Sequence, residues 1–232
     1  MNPALQGAGR ITGVFFHPAG DIVAVASAFP LLINPPARAA YGGAALRYRV
    51  ALYRRGDPVP FAACDAPRLP VNDIAFHPGQ PVIAIGAGSY DGGYLFEGEL
   101  IAWNWDKDAC HRPFLNVPEV VRCRYLDDGR IEAWVRPWDE SWDEQDGDAP
   151  PAFETLLRVE TDAAGTATPE LDPASAILDR AAPRDDSDAA KRLADWMDLP
   201  DLGLRGAIWD LAWLDADTLA TVHDGCLLER YR

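Results

Sequence analysis

Apolar residues along this chain come in short strand-like runs broken by turn residues, and the runs recur. The segment ITGVFFHPAGDIVAVASAF from Ile11 and the segment VNDIAFHPGQPVIAIGAGSY from Val71 share one layout. Each has an apolar strand, then Phe-His-Pro, then a short turn, then a second apolar strand. Phe16-His17-Pro18 and Phe76-His77-Pro78 stand sixty residues apart. A looser copy, VVRCRYLDDGRIEAWVRPW, begins at Val120, with Asp128-Gly129 as its turn signal. A fourth, AIWDLAWLDADTLATVHDGCLLERYR, begins at Ala207, with Trp213-Leu214-Asp215 at the turn. Further strand-like sequence follows the first three copies: LRYRVALYRR from Leu46, GELIAWNWDK from Gly98 and FETLLRVETD from Phe153. The repeating unit is therefore three or four antiparallel strands.

The connection between second and third strands is long in the first three units. It reads PLLINPPARAAYGGAA, SYDGGYLFEG and RPWDESWDEQDGDAPPA, against a bare His223-Asp224-Gly225 in the fourth. Equivalent loops of stacked units leave on the same side, so these three are expected to gather at one end. Loops on a rigid frame are where binding concentrates, and these carry interface-type residues. The candidate partner-binding set is Tyr41, Tyr90, Tyr94, Phe96, Trp138 and Trp142, with Asp139, Glu140, Asp143 and Glu144. Phe16, His17, Pro18, Phe76, His77, Pro78, Trp103 and Trp213 are expected to be structural repeat positions.

Between the third and fourth units, DAAKRLADWMDL places Leu193, Trp196 and Met197 on one helical face, with Ser187 as N-cap and Pro200 as stop. This predicts a short helix packed on the strands.

Charge narrows the functional classes. The net charge is -15, and residues 137–201 hold 18 acidic against five basic residues. The strand units are close to neutral. Such a balance disfavours nucleic acid and anionic membrane surfaces as partners. No signal peptide or membrane-spanning run is expected. The four cysteines form no CxxC pair, so reduced thiols and a cytoplasmic location are expected. Arg in place of Lys, with abundant Ala, Pro and Asp, suggests a bacterial source. No nucleophile–base motif is present, no phosphate loop accompanies the Gly pairs, and Asp143, Asp146 and Asp148 lack EF-hand spacing. No cofactor, metal or catalytic residue is expected.

With the Phe-His-Pro and Leu-Asp-Asp-Gly turns, the Ile/Val-Ala-Val/Ile second strand and the Trp-bearing third strand (Ile101-Ala102-Trp103-Asn104-Trp105-Asp106), the repeats resemble blades of WD40-type β-propellers. The Gly-His and terminal Trp-Asp dipeptides of strict repeats are mostly missing. The resemblance implies an all-β, single-domain propeller spanning 1–232. Blades fall at about 11–66, 71–117, 119–162 and 206–232, with the acidic, helical connector at 163–203. Four blades imply either a small closed ring or a half-propeller, with residues 1–10 available as a strand to complete the last blade. It implies a protein-interaction scaffold, docking another protein or a second copy of itself. Ligand binding or catalysis at a central channel, and a structural half that assembles with a second chain, are the alternatives.

Overall fold

A computed structural model describes residues 5–30, 46–90, 96–117, 119–136, 157–161, 188–199, 202, 208–223 and 228–231. These form four antiparallel sheets and one short helix. Sheet 1 holds β1 (Arg10–Phe16), β2 (Ile22–Pro30), β3 (Leu46–Arg54) and β4 (Ala62–Cys64) in chain order. Sheet 2 repeats this with β5 (Val71–Phe76), β6 (Val82–Tyr90), β7 (Phe96–Asn104) and β8 (Ala109–Val117). Sheet 3 contains β9 (Glu119–Tyr125), β10 (Ile131–Arg136) and β11 (Leu157–Thr161). Sheet 4 contains β12 (Ile208–Trp213), β13 (Leu219–His223) and β14 (Leu228–Tyr231). Helix α1 spans Ala189–Met197.

The repeat is visible in backbone geometry as well as in composition. The first strand of every sheet carries a register shift four residues before its last, aromatic residue. The skipped positions are Thr12, Asn72, Val121 and Trp209, and the aromatics are Phe16, Phe76, Tyr125 and Trp213. After each aromatic, the next backbone N–H closes the turn: His17 N to Ile22 O, His77 N to Val82 O, Leu126 N to Arg130 O and Leu214 N to Thr218 O, all 2.8–2.9 Å. A bulge adds twist where neighbouring sheets meet.

Sheets 1 to 3 stack face to face. Side chains alternate across a strand, and the central strands bury both sets. Ala24, Ala26, Val50 and Leu52 of sheet 1 meet Ile83, Ile85, Ile101 and Trp103 of sheet 2. On the other face of sheet 2, Ala84, Leu100 and Ala102 meet Val120, Cys123, Ile131, Ala133 and Val135 of sheet 3. Burial on both faces explains why Ile22–Ala26 of β2 and Val82–Ala87 of β6 do not alternate apolar with polar residues. Gly86 and Gly88 permit the close approach of β9: a Cβ would lie 2.7 Å from Val120 Cγ1 at the first and 2.7 Å from Glu119 Cα at the second.

The remaining face of sheet 1 is covered by α1. Val14, Val23, Val25, Ala51 and Tyr53 pack against Ala189, Leu193, Met197 and Leu202, together with Leu5 and Ala8. The N-cap residue is Asp188 rather than Ser187, with no side-chain cap hydrogen bond, and the C-cap is Asp198 in the left-handed region at φ +56°. Residues 5–9 do not extend sheet 4, which has three strands. They lie on sheet 1, where Tyr53 donates its hydroxyl to Gln6 O at 2.6 Å and Gln6 N donates to Pro58 O at 2.9 Å. Leu5 and Ala8 gain more by covering Val14 and Tyr53 than the glycine-interrupted segment gains as a strand. Among the described residues no closed ring is shown.

Candidate functional site

The stack has two distinct ends. One end carries the first hairpin turns. The His17 Nδ1 accepts from Ala19 N at 3.1 Å, and His77 Nδ1 from Gly79 N at 3.0 Å. Each imidazole thus acts as an Asx-type acceptor for its own turn. Each ring also crosses to the next sheet: His17 stands edge-on to Phe76 at 4.9 Å, and His77 to Tyr125 at 4.8 Å. Pro18 and Pro78 are exposed on these turns. Trp196 of α1 stands 5.9 Å from Phe16.

The opposite end carries the ends of the second and third strands. Pro30 and Leu46, Tyr90 and Phe96, and Arg136 and Leu157 bound the connections 31–45, 91–95 and 137–156. Tyr90 and Phe96 are not loop residues, as SYDGGYLFEG suggested, but register partners at the end of the β6–β7 ladder, which leaves a five-residue connection at 91–95. Tyr41, Tyr94, Trp138, Asp139, Glu140, Trp142, Asp143 and Glu144 lie outside the described residues.

Beneath these connections lies a layer of charged side chains tying the sheets together. Glu99, almost fully buried on β7, accepts from Arg68 N at 2.5 Å and Leu69 N at 3.2 Å, and pairs with Arg112 Nε at 3.2 Å. Arg112 also donates to Ala66 O at 2.6 Å. The 66–70 connector between sheets 1 and 2 is thereby clamped, since one buried carboxylate satisfies two backbone donors and a guanidinium. Arg49 holds the equivalent place on β3 with reversed polarity: it makes a two-pronged contact with Asp65 at 2.6 and 2.7 Å and donates to Gly7 O at 3.2 Å. The paired guanidinium lowers the Asp65 carboxyl below its usual range. At the bulge of β5, Asn72 Nδ2 bridges to Glu119 Oε1 and Val120 O, each at 3.1 Å, and Asp73 Oδ2 accepts from Cys123 N at 2.9 Å. At the other end of the stack, beside the 126–130 turn, Arg124 pairs with buried Glu132 within sheet 3.

Sequence reasoning missed this layer. Its signal was present: Arg49 and Glu99 each stand directly before an apolar quartet, Val50–Tyr53 and Leu100–Trp103. The structural repeat positions divide. Trp103 is fully buried between sheets 1 and 2, whereas Trp213 is 59% exposed and Leu214 beside it 53%.

Among the described residues no group of three or more His, Cys, Asp or Glu is placed to hold a metal ion, and no helix is long and apolar enough to cross a membrane.

No protein-family model and no curated protein matches the chain. Among solved structures it is distantly similar to the crystal structure of Sqt1 of Saccharomyces cerevisiae, a WD40 β-propeller protein. Identity is 11% and the TM-score 0.41, covering 95% of this chain and 44% of that one. The chain spans less than half the length of that structure.

Proposed function

We propose that this chain is a non-enzymatic scaffold of WD40-like blades that docks a partner protein on its long-connection end. The observation that carries the reading is that the strand ends bounding three connections, Pro30 and Leu46, Tyr90 and Phe96, and Arg136 and Leu157, lie at one end of a stack braced by Glu99 and Arg49. A rigid base under aromatic-bearing loops lowers the cost of ordering an interface. Tyr90 and Phe96 at the loop base, with Tyr41, Tyr94, Trp138 and Trp142, supply anchors. Asp139, Glu140, Asp143 and Glu144 draw a basic partner surface towards them. The partner is a protein rather than nucleic acid or membrane, no cofactor takes part, and the setting is cytoplasmic. Affinity capture from the source organism tests this. A stoichiometric protein partner supports it; a chain that returns alone, holding a small metabolite, overturns it in favour of ligand binding.

A second reading has its own observation. Trp213 occupies the place of Phe76 and Tyr125, which His17 and His77 cover, yet it is exposed beside Leu214. An apolar pair of this kind suits assembly with a second chain.

A further inference from the structure

Cys64 and Cys110 come from different sheets and lie 46 residues apart in sequence, yet their Sγ atoms are 3.3 Å apart. Cys64 is the last residue of β4, the edge strand of sheet 1, and its side chain is buried in the core shared with sheet 2. Cys110 lies on β8, the edge strand of sheet 2, opposite Trp103 of the same core, and is exposed. We propose that Cys64 and Cys110 form a redox-responsive thiol pair that closes into a disulfide, stapling sheet 1 to sheet 2.

The two thiols have unequal roles. Cys110 is open to solvent and is the group a soluble oxidant reaches; Cys64 is not. The hydrogen bond from Cys64 lowers the Cys110 thiol, and the Arg112 guanidinium adds to this, while burial opposes it. The same hydrogen bond, followed by burial, raises Cys64. Cys110 is therefore the attacking thiolate and Cys64 the resolving thiol. Forming the bond requires the sulfurs to close by roughly 1.3 Å, to the 2.03–2.05 Å of a disulfide. Both residues stand on edge strands, and β4 is only three residues long, so the shift does not break a central ladder.

The oxidant is a hydroperoxide, with hydrogen peroxide as the simplest member. The Cys110 thiolate attacks one peroxide oxygen and the O–O bond breaks. The departing hydroxide takes a proton and leaves as water, and Cys110 becomes a sulfenic acid. Cys64 then gives up its proton as its sulfur attacks the Cys110 sulfur, and the S–O bond breaks to release a second water. Two thiols and one hydrogen peroxide yield one disulfide and two waters, with two electrons passing from sulfur to oxygen. Cys123 does not compete, because it is buried between sheets 2 and 3 with its thiol directed at Ala84 O.

The test treats the full chain with hydrogen peroxide, alkylates it under denaturing conditions, and maps the cysteines by mass spectrometry. The expected product has lost two hydrogens, contains a Cys64–Cys110 linked peptide, melts roughly 5–10 °C higher, and returns to the starting state with dithiothreitol. Cys110→Ser, at an exposed position, abolishes the linked peptide and the melting shift. In Cys64→Ser, Cys110 accumulates instead as sulfenic acid, trapped by dimedone. Two results overturn the proposal. One is a wild-type chain that stops at Cys110 sulfenic or sulfinic acid while Cys64 remains alkylatable. The other is the same product distribution from wild type and Cys64→Ser.

Discussion

The imidazole of His77, which closes the first hairpin turn of sheet 2, stands edge-on to the ring of Tyr125 in sheet 3 at 4.8 Å. His17 and Phe76 repeat the contact one sheet earlier. One residue type thus performs two tasks, accepting the turn N–H through Nδ1 and bridging to the next sheet through its ring edge. This explains why Phe-His-Pro recurs as a unit and gives the histidines a structural role.

The bridge is testable at His77, because His17 has an additional neighbour in Asp21 at 3.1 Å. His77→Ala removes both the turn acceptor and the aromatic edge, and should cost roughly 1–3 kcal/mol. His77→Asn keeps the acceptor and should recover about half of that loss. Urea unfolding of the three proteins measures both steps. Equal losses in the two variants would assign the whole effect to the ring.

The Arg49–Asp65 pair has a defined pH dependence. Asp65 titrates below its ordinary value because Arg49 stabilises the carboxylate. Its stabilisation is therefore present in full above the unfolded-state value near 3.9 and disappears as the pH falls through the lower folded-state value. Asp65 is half-exposed, so the effect is expected to stay below about 1 kcal/mol. Wild type and Asp65→Asn should differ in urea midpoint at pH 7 and converge in the acid range. A gap that persists unchanged to pH 2 contradicts the assignment.

Much of the architecture was legible in the chain, and the exceptions share a physical cause. The Phe-His-Pro turns and the apolar strand pairs are local signals, and they mark the strands that form sheets 1 and 2. The helix at 189–197 was readable from the spacing of Leu193, Trp196 and Met197. What it covers was not, because the complement of its apolar face is assembled from β1, β2 and β3 far away in sequence. Of residues 1–10, which the repeat pattern makes available to sheet 4, the described residues 5–9 lie on sheet 1, where Leu5 and Ala8 find burial. The bulges at Thr12, Asn72, Val121 and Trp209 involve four unrelated residue types and leave no trace in composition. At the candidate site, Tyr90 and Phe96 read as loop residues because glycines and polar residues surround them, yet backbone pairing carries the β6–β7 ladder out to both. The Glu99 and Arg49 clamps were not legible, because reversed charge at equivalent positions hides the repeat.

Trp213 and Leu214 bear on assembly. Replacing both with Ser should alter stability by less than about 0.5 kcal/mol, since neither is buried. If this pair serves assembly with a second chain, light scattering across a concentration series should show wild-type mass rising and the double variant lagging. A wild-type chain that stays monomeric throughout removes that reading.

The central claim is that the long-connection end docks a protein. Its most direct test compares capture from the source organism by the wild-type chain and by the double variant Tyr94→Ala/Trp142→Ala, with circular dichroism and melting temperature measured on both. The expected result is a stoichiometric partner on the wild type, reduced at least about tenfold on the double variant, with fold and melting temperature unchanged. Equal capture by the two proteins would contradict the claim.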